Sequence, residues 1–326
     1  MVVLVLAACQ PHRQYFPRTM EEQQVHIIRF DSALLAIRSD HAADDVRALY
    51  ARYPDFMPAY VEQALGVSAR DTDYLAEALP LFVHDTIYGF SNTNAFVQQT
   101  FADIRSISQE LNKAFTRFHY LYPDLYIPQL YTFVSGFNAS VLFLDDGNMA
   151  VGLDMYLGSN YPYYNRVVHN YQKQTMRPEC IPADIVSGYL FAVFPFGSSK
   201  SRLIDNMLYR GKLMYVCACL LNEPDFEVMG YTREQWQWCE QNERQVWNRM
   251  MDKRDLFKTD QMLLTSYLND APFTSEISQE APPRLGTWIG WRIAESYMEH
   301  HPELSLQDLI ASHDAELILR ESYYKP

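Results

Sequence analysis

The side chains best suited to hold a catalytic metal are far apart in this 326-residue chain. Nine histidines occur, and no two of them stand three or four residues apart. Two histidines one helical turn apart, with a glutamate between them, form the H-E-x-x-H zinc site of many peptidases. The sequence therefore predicts no metal site and no cofactor. A zinc site assembled from distant histidines is the alternative.

A polar stripe in the otherwise apolar segment "SRLIDNMLYRGKLMYVCACLL" is a second candidate for chemistry. Lys212 shares a helical face with Tyr209 and Asp205, at spacings of three and seven residues. One interpretation is a cluster that lines a cleft and binds an anionic group. The other is a partly buried lysine that pairs with a carboxylate for structural reasons.

Two further candidates stand in "GLDMYLG", which the pattern predicts as a strand. Side chains alternate between the two faces of a strand, so Asp154 and Tyr156 share a face and the apolar residues between and beside them share the other. The polar face points either into the cleft beside Lys212 or into water. Both interpretations remain open at this point.

The loop "NYPYYNR" combines aromatic residues, proline and Arg166. Such a composition suits stacking on sugars or on the surface of a partner protein. The alternative is chance, because tyrosine-rich loops are expected in a chain that contains 23 tyrosines.

The N-terminal segment predicts a covalent lipid. Residues 2–8 carry no charge, but a membrane-spanning helix needs about 20 apolar residues. The run Leu6-Ala7-Ala8-Cys9 resembles the lipobox of bacterial lipoproteins, in which the signal peptide is removed and the cysteine carries acyl chains such as palmitate. We expect residues 1–8 to be the remainder of a signal peptide, Cys9 to be lipidated, and residues 9–20 to form a tether. An apolar N-terminus of a cytosolic domain is the alternative.

The charge balance restricts the possible partners. The chain has 40 acidic and 27 basic residues and a net charge of -13, and it contains no block of lysine and arginine. Nucleic acid is therefore not an expected partner. We expect membrane contact through the lipid alone. The remaining cysteines are expected to be buried free thiols: Cys180, Cys217, Cys219 and Cys239.

Hydrophobic periodicity predicts an α+β fold, predominantly helical, with one small sheet in the middle of the chain. The N-terminal helical segments are residues 18–37, 43–65 and 93–123. The sheet is expected around residues 126–158, with Asp146-Gly147-Asn148 as a hairpin turn. Helical periodicity then continues to the C-terminus. Residues 21–326 are expected to form a single domain.

Four segments together carry a resemblance to a known family: "LDMYLGSNYPYY", "MLYRGKLMY", "GYTREQWQWCEQNERQVW" and "PPRLGTWIGWRIAESYM". They resemble the gliding-motility lipoprotein GldB family of Bacteroidota, and the likeness extends from about residue 20 to residue 326. That family is related to zincin-like metallopeptidases, in which a hairpin, a helix and then a long buried helix follow one another. The resemblance therefore implies a zincin-like architecture. In the last segment, Gly286 and Gly290 at four-residue spacing allow a close helix approach, and we expect the segment to pack in the core.

The resemblance also implies that the zinc-dependent catalytic activity has been lost. It places the segment from Gly211 to Tyr215 where H-E-x-x-H would lie, so glycine and tyrosine replace the zinc ligands and Lys212 replaces the general base. An ammonium group at that place repels a metal cation. The resemblance thus implies a non-catalytic scaffold that supports gliding or other envelope machinery, with an envelope protein as a possible partner.

Two alternative functions remain. One is a hydrolase with an unconventional site, such as Lys212 with Asp154. The other is a lipoprotein that binds a glycan or peptide through the tyrosine loop. Surface-exported lipoproteins of this bacterial group tend to have acidic residues directly after the cysteine, and residues 10–14 have none. The resemblance therefore implies a periplasm-facing position.

Overall fold

The structure, a computed structural model, describes residues 15–84, 89–221 and 223–326. The helices are α1 (Phe30–Leu34), α2 (Ala42–Arg52), α3 (Phe56–Ala59), α4 (Thr72–His84), α5 (Phe90–Thr100), α6 (Arg105–Leu121), α7 (Tyr164–Val167), α8 (Ile181–Val193), α9 (Leu203–Leu221), α10 (Asp225–Met229), α11 (Arg233–Asp252), α12 (Gln261–Leu268), α13 (Leu285–His300), α14 (Leu306–Ala311) and α15 (Ala315–Glu321). The strands are β1 (Ile27–Ile28), β2 (Leu130–Phe133), β3 (Val141–Phe143) and β4 (Met149–Gly152).

The strands form one small mixed sheet in the order β1-β2-β4-β3. Strand β2 runs parallel to both β1 and β4, whereas β3 and β4 form an antiparallel hairpin. Gly147 in the hairpin turn has a φ of 84°, a left-handed conformation that glycine adopts without strain. The predicted hairpin is therefore confirmed, and so is the predominantly helical α+β class.

Local sequence signals explain why the longer helices begin and end where they do. Helix α6 buries a stripe of apolar side chains at three- and four-residue spacing, from Ile107 to Phe118. Helix α11 begins with a capping box, in which Thr232 and Gln235 each accept a hydrogen bond from the other's backbone N–H. The segment predicted as a helix over residues 93–123 is two helices, because the chain breaks after Thr100 and resumes at Arg105.

Helix α9 lies in the centre of the helical part of the molecule. Sixteen of its nineteen residues are buried, and the helix packs against α6, α8, α12 and, most extensively, α13. A helix that is apolar on nearly all sides must be enclosed by other elements. The elements around α9 therefore determine which of its side chains can reach a cavity. No helix within the described residues is long and apolar enough to cross a membrane.

Two further sequence-based predictions about local structure are wrong. The periodicity predicts a helix over residues 18–37, but only Phe30–Leu34 is an α-helix, and Ile27–Ile28 joins the sheet as β1. The alternation predicts a strand at Asp154, but β4 ends at Gly152 and Leu153–Met155 forms a single turn of 3-10 helix. In both places long-range pairing or a chain reversal overrides the local pattern.

Candidate functional site

Helices α9 and α13 cross with their backbones in direct contact. A Cβ atom added to Gly211 would lie 2.1 Å from the carbonyl carbon of Gly290, and one added to Gly290 would lie 1.9 Å from the carbonyl oxygen of Met207. Both glycines therefore allow the two backbones to touch. The close approach that the glycine spacing allows is present at Gly290, and its partner is Gly211 on α9.

Lys212 is the buried cation of α9. Its side chain is 4% exposed, and its ammonium group donates hydrogen bonds to the carbonyl oxygens of Ile310, at 2.8 Å, and Ser312, at 2.6 Å. These carbonyls lie at the C-terminal end of α14, where helical carbonyls lack partners within the helix. Burial lowers the pKa of Lys212 to about 8.

The expected pairing of Lys212 with a carboxylate is wrong. Asp205, seven residues earlier on α9, instead forms an ion pair with Arg202 at 2.8 Å. Among the described residues no carboxylate lies within ion-pairing distance of the Lys212 ammonium. The charge of Lys212 is thus held by two neutral carbonyl groups, which supply dipoles but no counter-charge.

An apolar groove opens beside Lys212, which we call the Lys212 groove. It has a volume of about 490 Å³ and lies between the end of α8, α9 and α14. Its lining is Tyr122, Val193, Phe194, Pro195, Phe196, Gly197, Tyr209, Lys212, Leu213, Gln307, Ile310, Ala311 and His313. Tyr209 contacts Phe191 and Phe196 edge to face. Of the predicted polar stripe, Lys212 and Tyr209 therefore share this groove.

Tyr215, three residues after Lys212 on α9, does not line the Lys212 groove and meets the N-terminal part of the described chain. Its hydroxyl shares a hydrogen bond of 2.7 Å with the hydroxyl of Tyr15, and its ring contacts Trp291 edge to face. Phe16 packs against Tyr120. In the described part of the predicted tether, the chain is therefore docked on the helices from Tyr15 onward. Cys9 and residues 1–8 lie outside the described residues.

A second cavity, which we call the sheet-side cavity, lies between the β3–β4 hairpin and α8, with a volume of about 400 Å³. The hydroxyl of Tyr156 donates a hydrogen bond of 2.7 Å to the carboxylate of Asp184 on α8. Burial raises the pKa of Asp184 to about 6, although the Tyr156 hydroxyl and the nearby charge of Arg284 oppose the rise. An acid with this pKa can exchange a proton close to neutral pH.

Arg284 supplies positive charge to the same cavity. It lines the sheet-side cavity together with Asp270, forms an ion pair with it at 2.9 Å, and donates a hydrogen bond to the carbonyl of Met229. The cavity thus holds two carboxylates and one guanidinium. Asp270 pairs with Arg284, and the Asp184 carboxylate has the Tyr156 hydroxyl as its hydrogen-bond donor.

Asp154 does not reach either cavity. Its carboxylate is buried and accepts hydrogen bonds from the backbone N–H groups of Ser135, at 3.0 Å, and Phe137, at 2.8 Å. Burial raises its pKa to about 6, and the backbone donors limit the rise. The expectation that Asp154 and Tyr156 share one face beside Lys212 is wrong, because the 3-10 turn separates their directions.

The tyrosine loop uses its aromatic rings inside the protein. Tyr163 stacks on Phe137 with ring centres 5.3 Å apart, and Tyr161 stacks on Phe96 at 5.1 Å. The hydroxyl of buried Tyr164 donates to the carbonyl of Asp154. Arg166 lies over the ring of Tyr163. These contacts occupy one face of the Tyr161 ring and of the Tyr163 ring, and Tyr161 also lines an open pocket with Pro162.

The segment from Gly211 to Tyr215 does not line one cavity. Gly211 is pressed against α13, Lys212 points toward α14, Tyr215 meets Tyr15, and Met214 borders the sheet-side cavity. A zinc ligand at position 211 would need space that the backbone of α13 fills. Among the described residues no three histidine, cysteine, aspartate or glutamate side chains are grouped so that they could hold a metal ion. The residues present therefore do not fit a peptidase zinc.

Sequence reasoning missed the residues that give the sheet-side cavity its charge. Asp184 stands alone among apolar residues in "IPADIVSGYLFAV", and a lone acid in a buried helix is a signal that could have found it. No such signal marks Arg284 and Asp270 in the sequence, because only the fold brings these two side chains together as an ion pair. All four predicted cysteines are buried, and Cys180, Cys217 and Cys239 are free thiols, as predicted.

A comparison with family models agrees with the resemblance noted in the sequence. A model described as "Gliding motility protein GldB" matches residues 16–326. Comparisons with curated proteins and with solved structures gave no significant match.

Proposed function

Because the chain belongs to the gliding motility protein GldB family, we propose that it is a membrane-anchored envelope lipoprotein that acts as a non-catalytic scaffold. The scaffold supports gliding or other envelope machinery, and its partner is an envelope protein. The observation that carries this proposal is how α9 is packed and hydrogen-bonded at Gly211 and Lys212. Gly211 leaves no room for a ligand side chain, and the Lys212 ammonium is tied to two carbonyls.

A zincin-like origin of the scaffold is part of the proposal. It is supported by the order of elements, since the β3–β4 hairpin is followed by α8 and then by the long buried α9. In this view, a helix that once supplied metal ligands has become a packing element. The chain retains the cavity beside the hairpin without the ligands.

The proposed anchor is a lipid on Cys9. Five residues separate Cys9 from Tyr15, where the described chain is already docked on α9. An extended chain spans at most about 3.5 Å per residue, so the lipid would hold this part of the surface within about 20 Å of the membrane. The absence of acidic residues at positions 10–14 supports a periplasm-facing position, which protease treatment of intact cells tests: the protein should be spared.

Membrane fractionation tests the anchor. Cys9→Ser should shift the protein from the membrane to the soluble fraction or leave it unprocessed, because serine cannot carry the thioether-linked lipid and each buried methylene contributes about 0.8 kcal/mol to membrane binding. Gln10→Ser is the matched control and should remain in the membrane. Equal retention of Cys9→Ser and Gln10→Ser would contradict the lipid anchor.

A second candidate function is hydrolysis in the sheet-side cavity, which the Tyr156–Asp184 pair favours. Complementation of a deletion strain separates the two. The scaffold predicts that Asp184→Asn restores colony spreading, or the envelope phenotype of the deletion, as well as the wild-type gene does. Loss of complementation by Asp184→Asn at normal protein level would favour the hydrolase.

A further inference from the structure

The Lys212 groove combines two features that together describe a ligand. Most of its lining is apolar or aromatic, and its volume of about 490 Å³ is within the range of small-molecule sites. At its edge stands an ammonium group with no carboxylate partner among the described residues. A buried charge without a counter-ion is costly, so an anionic ligand would be stabilised there.

The geometry of the ammonium limits the form of the anion. An ammonium group has three donors, and the carbonyls of Ile310 and Ser312 accept two of them. The remaining donor suits one oxygen of a small monoanionic head group. The apolar residues on either side, including Phe194, Phe196 and Leu213, suit an alkyl chain.

The groove is also close to the place where the N-terminal chain docks. Lys212 and Tyr215 are three residues apart on α9, which is about 4.5 Å along the helix axis, and Tyr215 holds Tyr15. This point rests on the proposed function, because it brings the groove near a membrane only if Cys9 carries a lipid. The groove would then open where free amphiphiles are most concentrated.

We propose that the Lys212 groove binds a single-chain fatty acid, with the carboxylate on the Lys212 ammonium and the alkyl chain along Phe194, Phe196 and Leu213. The charge pair and the apolar lining act together. A neutral amphiphile of the same length would gain the apolar contacts alone.

Calorimetric titration of the purified, detergent-free soluble Cys9→Ser protein with decanoate tests this proposal, and the full-length lipidated protein in nanodiscs repeats it. We expect one decanoate per chain, at least tenfold weaker binding of 1-decanol, and no binding of acetate. Lys212→Met should weaken decanoate binding at least tenfold and leave 1-decanol unchanged. Equal affinity of the wild type and Lys212→Met for decanoate would overturn the proposal.

A second variant keeps the test valid if Lys212→Met does not fold. Ala311 is exposed and lines the groove, so Ala311→Trp should fill the opening without disturbing the core and should abolish binding of decanoate and of 1-decanol. Unchanged decanoate binding by Ala311→Trp would place the ligand elsewhere. Neither result depends on the lipid anchor, which the fractionation experiment tests separately.

The pH profile gives a further readout. Decanoate affinity should fall above pH 8, where Lys212 loses its proton. The other ionisable groups at the groove and the adjoining pocket are Tyr122, Asp205, Tyr209 and His313, and Asp205 is held by Arg202. An affinity that stays constant from pH 7 to pH 10 would contradict the charge pair.

Discussion

The two cavities on either side of α8 and α9 differ in how their buried charges are balanced. In the sheet-side cavity, Asp184 receives a hydrogen bond from Tyr156 and lies near the positive charge of Arg284. In the Lys212 groove, the ammonium meets only carbonyl dipoles, and burial alone shifts its pKa. Burial of an ionisable group therefore does not by itself mark a catalytic site. The buried carboxylate of the first cavity has a hydroxyl donor and a nearby guanidinium, whereas the ammonium at the second has no carboxylate partner among the described residues.

The largest loss of stability is expected at the crossing of α9 and α13, because these helices hold the two cavities in place. Gly211→Ala or Gly290→Ala should cost more than about 3 kcal/mol of the free energy of unfolding, because the added methyl group meets backbone atoms that cannot move aside. Urea unfolding monitored by circular dichroism measures it. Gly188→Ala on α8 is the matched control: its Cβ would meet the ring tip of Phe143 at 3.0 Å, and a smaller loss is expected. Similar losses for all three would refute a special role for the crossing.

The next effect concerns the charge of Lys212. Its folded pKa, about 8, is below the ordinary 10.5, so the unfolded chain binds more protons between these values and the wild type gains stability as pH rises through them. Relative to Lys212→Met, the gain should be at most about 3 kcal/mol between pH 7 and pH 10. Lys325→Met, at an exposed lysine, should show no such trend. If the free energy of unfolding changed with pH in the same way in the wild type and in Lys212→Met, the ammonium would be well solvated.

A smaller effect of opposite sign is expected in the sheet-side cavity. The folded pKa of Asp184, about 6, exceeds the ordinary 3.8, so its contribution is fully present below pH 3.8 and is lost as pH rises through 6. Relative to Asp184→Asn, the wild type should lose about 1 to 2 kcal/mol between pH 4 and pH 7. Asp124→Asn, at an exposed acid, is the control. A wild type that gains stability over this range would show that Arg284 and Tyr156 outweigh burial.

The sequence predicts those parts of the fold that depend on local patterns. Helical periodicity identifies α6 and α9, the turn at Asp146-Gly147-Asn148 identifies the hairpin, and the spacing of Gly286 and Gly290 allows a close helix contact. Local patterns do not predict strand β1, because it has only two residues and takes its conformation from pairing with β2.

The candidate site is harder to predict because its contacts join distant parts of the chain. Lys212 binds carbonyls about 100 residues away, and backbone carbonyls leave no trace in the side-chain pattern. Asp154 has a spacing that suits a cleft, but it satisfies the backbone of a loop that precedes it. The sequence thus identifies Lys212 as unusual, and only the fold shows its partners.

Helix α9 contributes packing and not metal chemistry if the purified protein neither retains zinc nor hydrolyses an unfolded protein substrate, and both are measured on the same preparation. A catalytic zinc needs three protein ligands and an open position for water, and position 211 has no space for a ligand. We predict far less than one zinc per chain after dialysis against zinc-containing buffer, and no hydrolysis with or without a chelator. One zinc per chain with chelator-sensitive hydrolysis would contradict the account.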